Sequence, residues 1–245
     1  MSGQPYHSKG YNTAIAQRDA SIPQDLLIPS SELSKLPQDL TTVPKTHAHF
    51  TDSERQIITS PVRTILSNIQ TRIWTSEIVT RAFLKSAAVA QQLTNCLTYL
   101  LYDSAVARAR ELDQHLERTG KLVGPLHGLP VSLKDCFITP PTPSALGLTS
   151  WANESTEFVP ESVLVGMLQD RGAVIHAKTN VPVGMMMMET DNNVTGATLN
   201  PCNTKCSSGG SSGGEVSSSI SPLISFGFSM MTISLMTLPV DVTYI

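Results

Sequence analysis

The chain has 245 residues and a mass of 26.4 kDa, room for one large domain or two small ones. With 40% hydrophobic residues it can build a sizeable core, which excludes wholesale disorder. Seventeen basic against 20 acidic residues give a net charge of −3 and exclude a strongly basic nucleic-acid binder, since no surplus of Lys and Arg exists to displace counterions.

The four cysteines, Cys96, Cys136, Cys202 and Cys206, are too sparse for a disulfide scaffold and point to a reducing, cytoplasmic setting. Cys202 and Cys206 could be read as half a metal site, but no second Cys or His pair follows at ligand spacing. Met1 to Ser30 contains no apolar run, so it is no secretory signal.

In chain order, residues 1–50 read as an extended, poorly structured leader draped over the surface, because Pro5, Pro23, Pro29, Pro37 and Pro44 interrupt every helical stripe. Thr51-Asp-Ser-Glu54 is a capping box that opens a helix. A stronger helix starts near Ser76, with Ile78, Ala82, Phe83, Val89, Ala90 and Leu93 roughly on one face. A third runs from about Asp103 to Thr119, striped by Ala105, Ala109, Leu112 and Leu116 and stopped by Gly120.

The pattern then changes. Gly124 to Pro130 is turn material, and Val131-Ser-Leu-Lys134 alternates as a short strand does. Pro160 and Glu161 open a helix through Val163, Leu164, Met167 and Leu168 that ends at Gly172, and Ala173 to Ala177 is a buried strand. Strand, helix, strand in that order gives an α/β layer structure with a largely parallel sheet. His127 in the turn and His176 in the strand could each be a base, though a structural histidine is the ordinary reading. Met185 to Met188 are either flexible core filler or the soft wall of an apolar pocket.

Ser207-Ser-Gly-Gly-Ser-Ser-Gly-Gly214 is the most unusual segment. It suits a flexible linker, a phosphate cradle lacking the Gly-Lys-Ser/Thr ending, or a backbone built to approach a ligand closely. Composition alone favours the linker.

The motifs around it point elsewhere. Gly124-Pro-Leu-His-Gly-Leu-Pro-Val-Ser-Leu-Lys-Asp135 is followed by Gly172-Ala-Val-Ile-His-Ala-Lys-Thr-Asn-Val-Pro182, then by Asn200-Pro201 and by Gly209-Gly-Ser-Ser-Gly-Gly-Glu215. In this order the motifs resemble the amidase signature family, in its fungal acetamidase-like branch. Ala87 to Cys96 and Ala109-Arg-Glu-Leu-Asp113 resemble that branch too, and the resemblance spans about residues 55–215.

The resemblance implies a partial α/β amidase fold, a mixed sheet between helices, occupying residues 51–215 behind the leader. It implies hydrolysis of small carboxamides to carboxylate and ammonia by a Ser–Ser–Lys triad, with no metal or organic cofactor. Lys134 maps to the lysine and Ser211 to the bridging serine that relays its proton, a serine held through a cis peptide and also touching substrate. Met185 maps to an acyl-pocket wall, while Gly209, Gly210, Ser212, Gly213 and Gly214 support the loop. A lysine serves as a base near neutral pH only in a dry pocket, because an exposed amine has a pKa near 10.4 and burial lowers it by roughly 3 units or more. Full-length relatives suggest a homodimer, with a small amide as partner and neither nucleic acid nor membrane.

Departures begin after Glu215. The attacking serine belongs about two dozen residues beyond Ser211, in a Gly-Thr-Asp-Ile-Gly-Gly-Ser stretch whose backbone also forms the oxyanion hole. Here that place falls at Leu235, and neighbouring Ser234 has no flanking glycine, so no nucleophile is identified. Residues 216–245 form an apolar tail with Asp241 as its one charge, as a frameshift or retained intron would produce. The expectation is therefore a catalytically incomplete amidase. An inactive amide-binding or regulatory relative is the alternative. A tail anchor over Ile220 to Leu238 is a third reading, weakened by Pro222 and by the lack of flanking Lys or Arg.

Overall fold

A computed structural model of the chain describes residues 9–152, 154, 156–220 and 227–228. In chain order the helices are α1 (Lys9–Ala20), α2 (Ser30–Leu33), α3 (Val43–Thr46), α4 (Asp52–Ile58), α5 (Val62–Gln70), α6 (Ser76–Thr94), α7 (Tyr102–Thr119), α8 (Val163–Asp170) and α9 (Gly213–Ile220). The strands are β1 (Leu97–Leu100), β2 (Pro130–Lys134), β3 (Val174–Thr179), β4 (Leu199–Asn200), β5 (Asn203–Ser207) and β6 (Gly227–Phe228). The main sheet has the order β1-β3-β2-β6, and β4 and β5 form a separate antiparallel hairpin. β3 runs parallel to β2 across the α8 crossover, β6 joins β2 in parallel, and β1 runs antiparallel to β3. This is the mixed sheet among helices that the motifs imply.

Helix α6 is the centre of the core. Val79, Phe83, Leu84 and the run Ala87 to Ala90 are buried along with Ser76, Thr80 and Ser86, so the helix is enclosed on most sides. Small side chains allow that close approach. Ile78, placed on the apolar stripe by spacing, is instead 51% exposed. The Thr75 hydroxyl accepts from the Ile78 amide, and the Asp113 carboxylate of α7 accepts from the amides of Ser76 and Glu77 at 2.7 and 3.0 Å. A negative group is thereby set at the positive end of α6. Asn95 ends the helix in the left-handed region (φ 54°), and Gly120 ends α7 likewise (φ 66°), as its position predicts. The Thr51–Glu54 capping box is formed in full.

The leader departs from expectation. Within residues 9–50 the chain folds into α1, a 3-10 turn at Gln24–Leu26, α2 and α3, and it buries Ile22, Ile28, Leu40, Val43 and Phe50. Polar ties hold it down. Arg18 Nη1 donates to Asn95 Oδ1 at 2.7 Å, and the Gln92 side-chain amide pairs with the backbone of Ile28 at 2.8 and 2.9 Å. Leu40 N donates to the Pro201 carbonyl at 2.7 Å. Prolines do break the stripe, but the apolar residues between them are buried singly against the rest of the chain, which a periodicity search cannot detect.

Helix α8 starts at Val163 with Ser162 as its N-cap, two residues inside the expected Pro160–Glu161 start. The apolar tail is described only in part. Residues 216–220 belong to α9 and Gly227–Phe228 to β6, whereas Leu235, Ser234 and most of the expected anchor lie outside the described residues.

Candidate active site

Lys134 is the last residue of β2 and only 2% exposed. Its Nζ donates to Ser211 Oγ at 2.9 Å and to Ser212 Oγ at 3.0 Å. Burial holds the Lys134 pKa below its usual value, opposed by the nearby Cys136 and Glu215. An amine facing two hydroxyls has lost water without gaining a carboxylate in contact, so its ammonium form is less favoured than that of an exposed lysine.

The glycine–serine segment is shaped to make this contact and is no linker. Gly209 adopts φ +76°, and a Cβ on Gly210 would come within 2.7 Å of the Met187 carbonyl. The peptide between Gly210 and Ser211 is cis. Thr190 clamps the loop: its amide and hydroxyl donate to the Gly209 carbonyl at 3.0 and 2.7 Å, and its hydroxyl accepts from the Gly213 amide at 3.0 Å. Gly214 packs so closely that a Cβ there would lie 2.6 Å from the carbonyls of Asn180 and Cys96. Ser212 and Gly213 to Glu215 are buried, and Ser211 is half-buried.

The loop after β3 is stiffened by two buried amides. Asn180 Oδ1 accepts from the Val181 amide, Asn192 Nδ2 and Thr195 Oγ1, while Asn192 Oδ1 accepts from the amides of Val194 and Thr195. Met185 sits half-buried in a turn of this loop at φ 58°. Met186, Met187 and Met188 are 87%, 59% and 84% exposed, so the run is not core filler.

Both histidines are buried away from these groups. His176 is packed edge-on against Phe83, its pKa pushed down to about 4 by burial. His127 Nδ1 accepts from the Val123 amide at 3.0 Å, which fixes the turn before β2. Cys202 and Cys206 are free thiols near and on β5. A cavity of about 1030 Å³ opens elsewhere, between α7, Thr139–Thr142 and the leader; Lys134, Ser211 and Met185 do not line it.

Several polar residues of this site are not singled out by sequence. Glu215 is fully buried, its carboxylate accepting from Ser132 Oγ at 2.8 Å and Thr179 Oγ1 at 2.9 Å, and burial pushes its pKa up to about 7. Asp135 pairs with buried Lys178 at 3.4 Å and accepts from Thr98 Oγ1 and the Leu146 amide. The available signal is an acid closing a glycine–serine run, the first acidic residue after Asp191.

The amidase family model matches residues 78–224. The chain belongs to the amidase family. The match runs nine residues past Glu215, where the recognisable motifs end. The acetamidase of Emericella nidulans is 44% identical over 172 residues, 70% of this chain and 31% of that protein. The acetamidase of Aspergillus oryzae is 38% identical over 200 residues, 82% of this chain and 36% of that protein. The chain thus spans about a third of the length of these curated relatives. A solved fatty acid amide hydrolase superposes with a TM-score of 0.81 at 29% identity, over 89% of this chain and 39% of that one. The peptide amidase from Stenotrophomonas maltophilia superposes with a TM-score of 0.62 at 27% identity, over 69% of this chain and 35% of that one. Among the described residues no helix is long and apolar enough to cross a membrane.

Proposed function

We propose that the chain carries the proton-transfer half of an amide-hydrolysing centre for small carboxamides. The observation that carries this reading is the 2.9 Å contact between the buried Lys134 amine and Ser211 Oγ. Neutral Lys134 takes the Ser211 hydroxyl proton as Ser211 takes one from an attacking serine. The serine oxygen bonds to the carbonyl carbon, the C–N bond breaks, and ammonia leaves with the returned proton. Water then releases the acyl group as carboxylate. Met185 walls the acyl side, and Ser212 with the surrounding glycines holds Ser211 in place. Free thiols suit a cytoplasmic site of action.

No residue of this chain is assigned as the nucleophile, since Leu235 stands where the family motif would supply it. Losing a single oxyanion donor costs about 10²–10³ in rate, so acetamide hydrolysis by the 245-residue chain should stay at background. Ammonia release measures this, and turnover that Lys134→Ala abolishes would show that an attacking group is present after all. Joining residues 1–215 to the downstream part of the Emericella nidulans acetamidase should restore turnover. Persistence of that turnover in the Lys134→Ala chimera would overturn the base assignment.

A further inference from the structure

Glu215 is joined to both strands that carry the site. Its Oε2 accepts from Ser132 Oγ at 2.8 Å and its Oε1 from Thr179 Oγ1 at 2.9 Å. Ser132 precedes Lys134 by two residues on β2, so the two side chains leave the strand on one face. Thr179 is the register partner of Lys134 on β3. The Glu215 backbone lies in the first turn of α9, three residues beyond Ser212 and four beyond Ser211. One side chain thus ties the helix following the serines to the strand bearing the amine.

Two hydroxyls do not neutralise a buried carboxylate, and a glutamine could hold them equally well. Its charge acts on the neighbours. From β2 it faces Lys134, whose ammonium it favours, and from the end of α6 the Cys96 thiol, which burial and Glu215 together push up to about 12. β3 presents the Thr179 hydroxyl, while the described residues of α9 and β6 add no other charged side chain.

We propose that Glu215 is a positioning residue for the Lys134–Ser211 pair: it locks the first turn of α9 to β2 and β3 and places its carboxylate on the face of β2 that carries the Lys134 amine. This rests on the reading of Lys134 as the base.

Nitrogen-15 NMR of lysine side chains in the full 245-residue chain tests it, with Lys134→Arg assigning the signal. Wild-type Lys134 should titrate below 10.5. Glu215→Gln keeps a donor and an acceptor for the two hydroxyls and removes a buried charge, so the urea midpoint at neutral pH should rise rather than fall, while the Lys134 midpoint falls further, by about half a unit or more. Glu215→Ala should lower it too and speed hydrogen exchange at the Gly213 and Gly214 amides about tenfold, corresponding to a local opening made roughly 1.4 kcal/mol easier. A wild-type midpoint at the ordinary value overturns the base reading and this proposal with it. A lowered wild-type midpoint that Glu215→Gln leaves unmoved overturns this proposal alone.

Discussion

Two lysines are buried side by side in the sheet, Lys134 at the end of β2 and Lys178 on β3, and their surroundings differ in kind. Lys178 is 0% exposed; its Nζ donates to the Pro143 carbonyl at 2.7 Å and lies 3.4 Å from an Asp135 oxygen. Lys134 meets the hydroxyls of Ser211 and Ser212. Burial lowers both pKa values, but at Lys178 the carboxylate in contact pulls back toward the ammonium. Depth alone therefore does not fix the protonation balance of a buried amine. Lys178 also donates to the Ser144 hydroxyl, so what distinguishes the two is the carboxylate of Asp135 within ion-pair distance of Lys178 alone.

The largest test of the comparison removes the compensated amine. Lys178→Met leaves Asp135 buried with only neutral donors, Thr98 and the Leu146 amide, against it. Removing one partner of a buried pair costs about 3–5 kcal/mol, so the urea midpoint should collapse. A loss within about 1 kcal/mol would mean that Asp135 and Lys178 do not form a compensating pair.

The next disturbs the Lys134 side alone. Gly214→Ala would press a methyl within 2.6 Å of the Asn180 and Cys96 carbonyls, and neither backbone can yield easily. Overpacking of this kind costs about 1–3 kcal/mol. Equilibrium unfolding gives the size. The Lys134 NMR signal should shift as the serines are displaced, and the Lys178 signal should not; equal shifts would erase the distinction between the two pockets.

How much of the molecule is legible in its sequence follows from how local each feature is. The capping box at Thr51–Glu54, the α7 stripe closed by Gly120 and the short strand ending at Lys134 are set by residues within a few positions of each other, and spacing shows them. Lys134 and Ser211 come forward because ordered motifs resemble a family; 77 positions separate them, and spacing alone leaves the glycine run reading as a linker. Glu215 meets Ser132 across 83 positions, and Lys178 meets Asp135 across a strand pair, so their pairing is invisible until the sheet register is known. The leader is misread for the same reason. Its buried side chains, such as Ile28 and Phe50, are too irregularly spaced to form a stripe.

A milder test exchanges the uncompensated amine for an apolar group of similar shape. Lys134→Met should change stability by less than about 1.5 kcal/mol at neutral pH, because no carboxylate in contact is stranded. The pH response carries the sign. Since the folded pKa lies below 10.5, the unfolded chain holds more protons in the interval between, and wild-type stability rises with pH up to about 10.5. Lys134→Met should shrink that rise, as urea midpoints between pH 8 and pH 10 would show, whereas a cost as large as that of Lys178→Met would break the comparison.

The smallest expected effect is a near-cancellation at mildly acid pH. Glu215 moves from 4.5 unfolded to about 7 folded, so the folded chain holds more protons there and stability falls as pH rises from 4.5 to 7. His176 moves the other way, from 6.5 to about 4, so the unfolded chain holds more protons and stability rises from pH 4 to 6.5. Each full shift corresponds to on the order of 3 kcal/mol, in opposite senses over nearly the same interval. Wild-type urea midpoints at pH 4.5, 5.5 and 6.5 should therefore vary less than those of either variant. Glu215→Gln should uncover the rise from His176, and His176→Phe the fall from Glu215. Because the two groups sit on different elements, α9 and β3, a variant that alters neither slope would mean that its side chain is not dry in the folded chain.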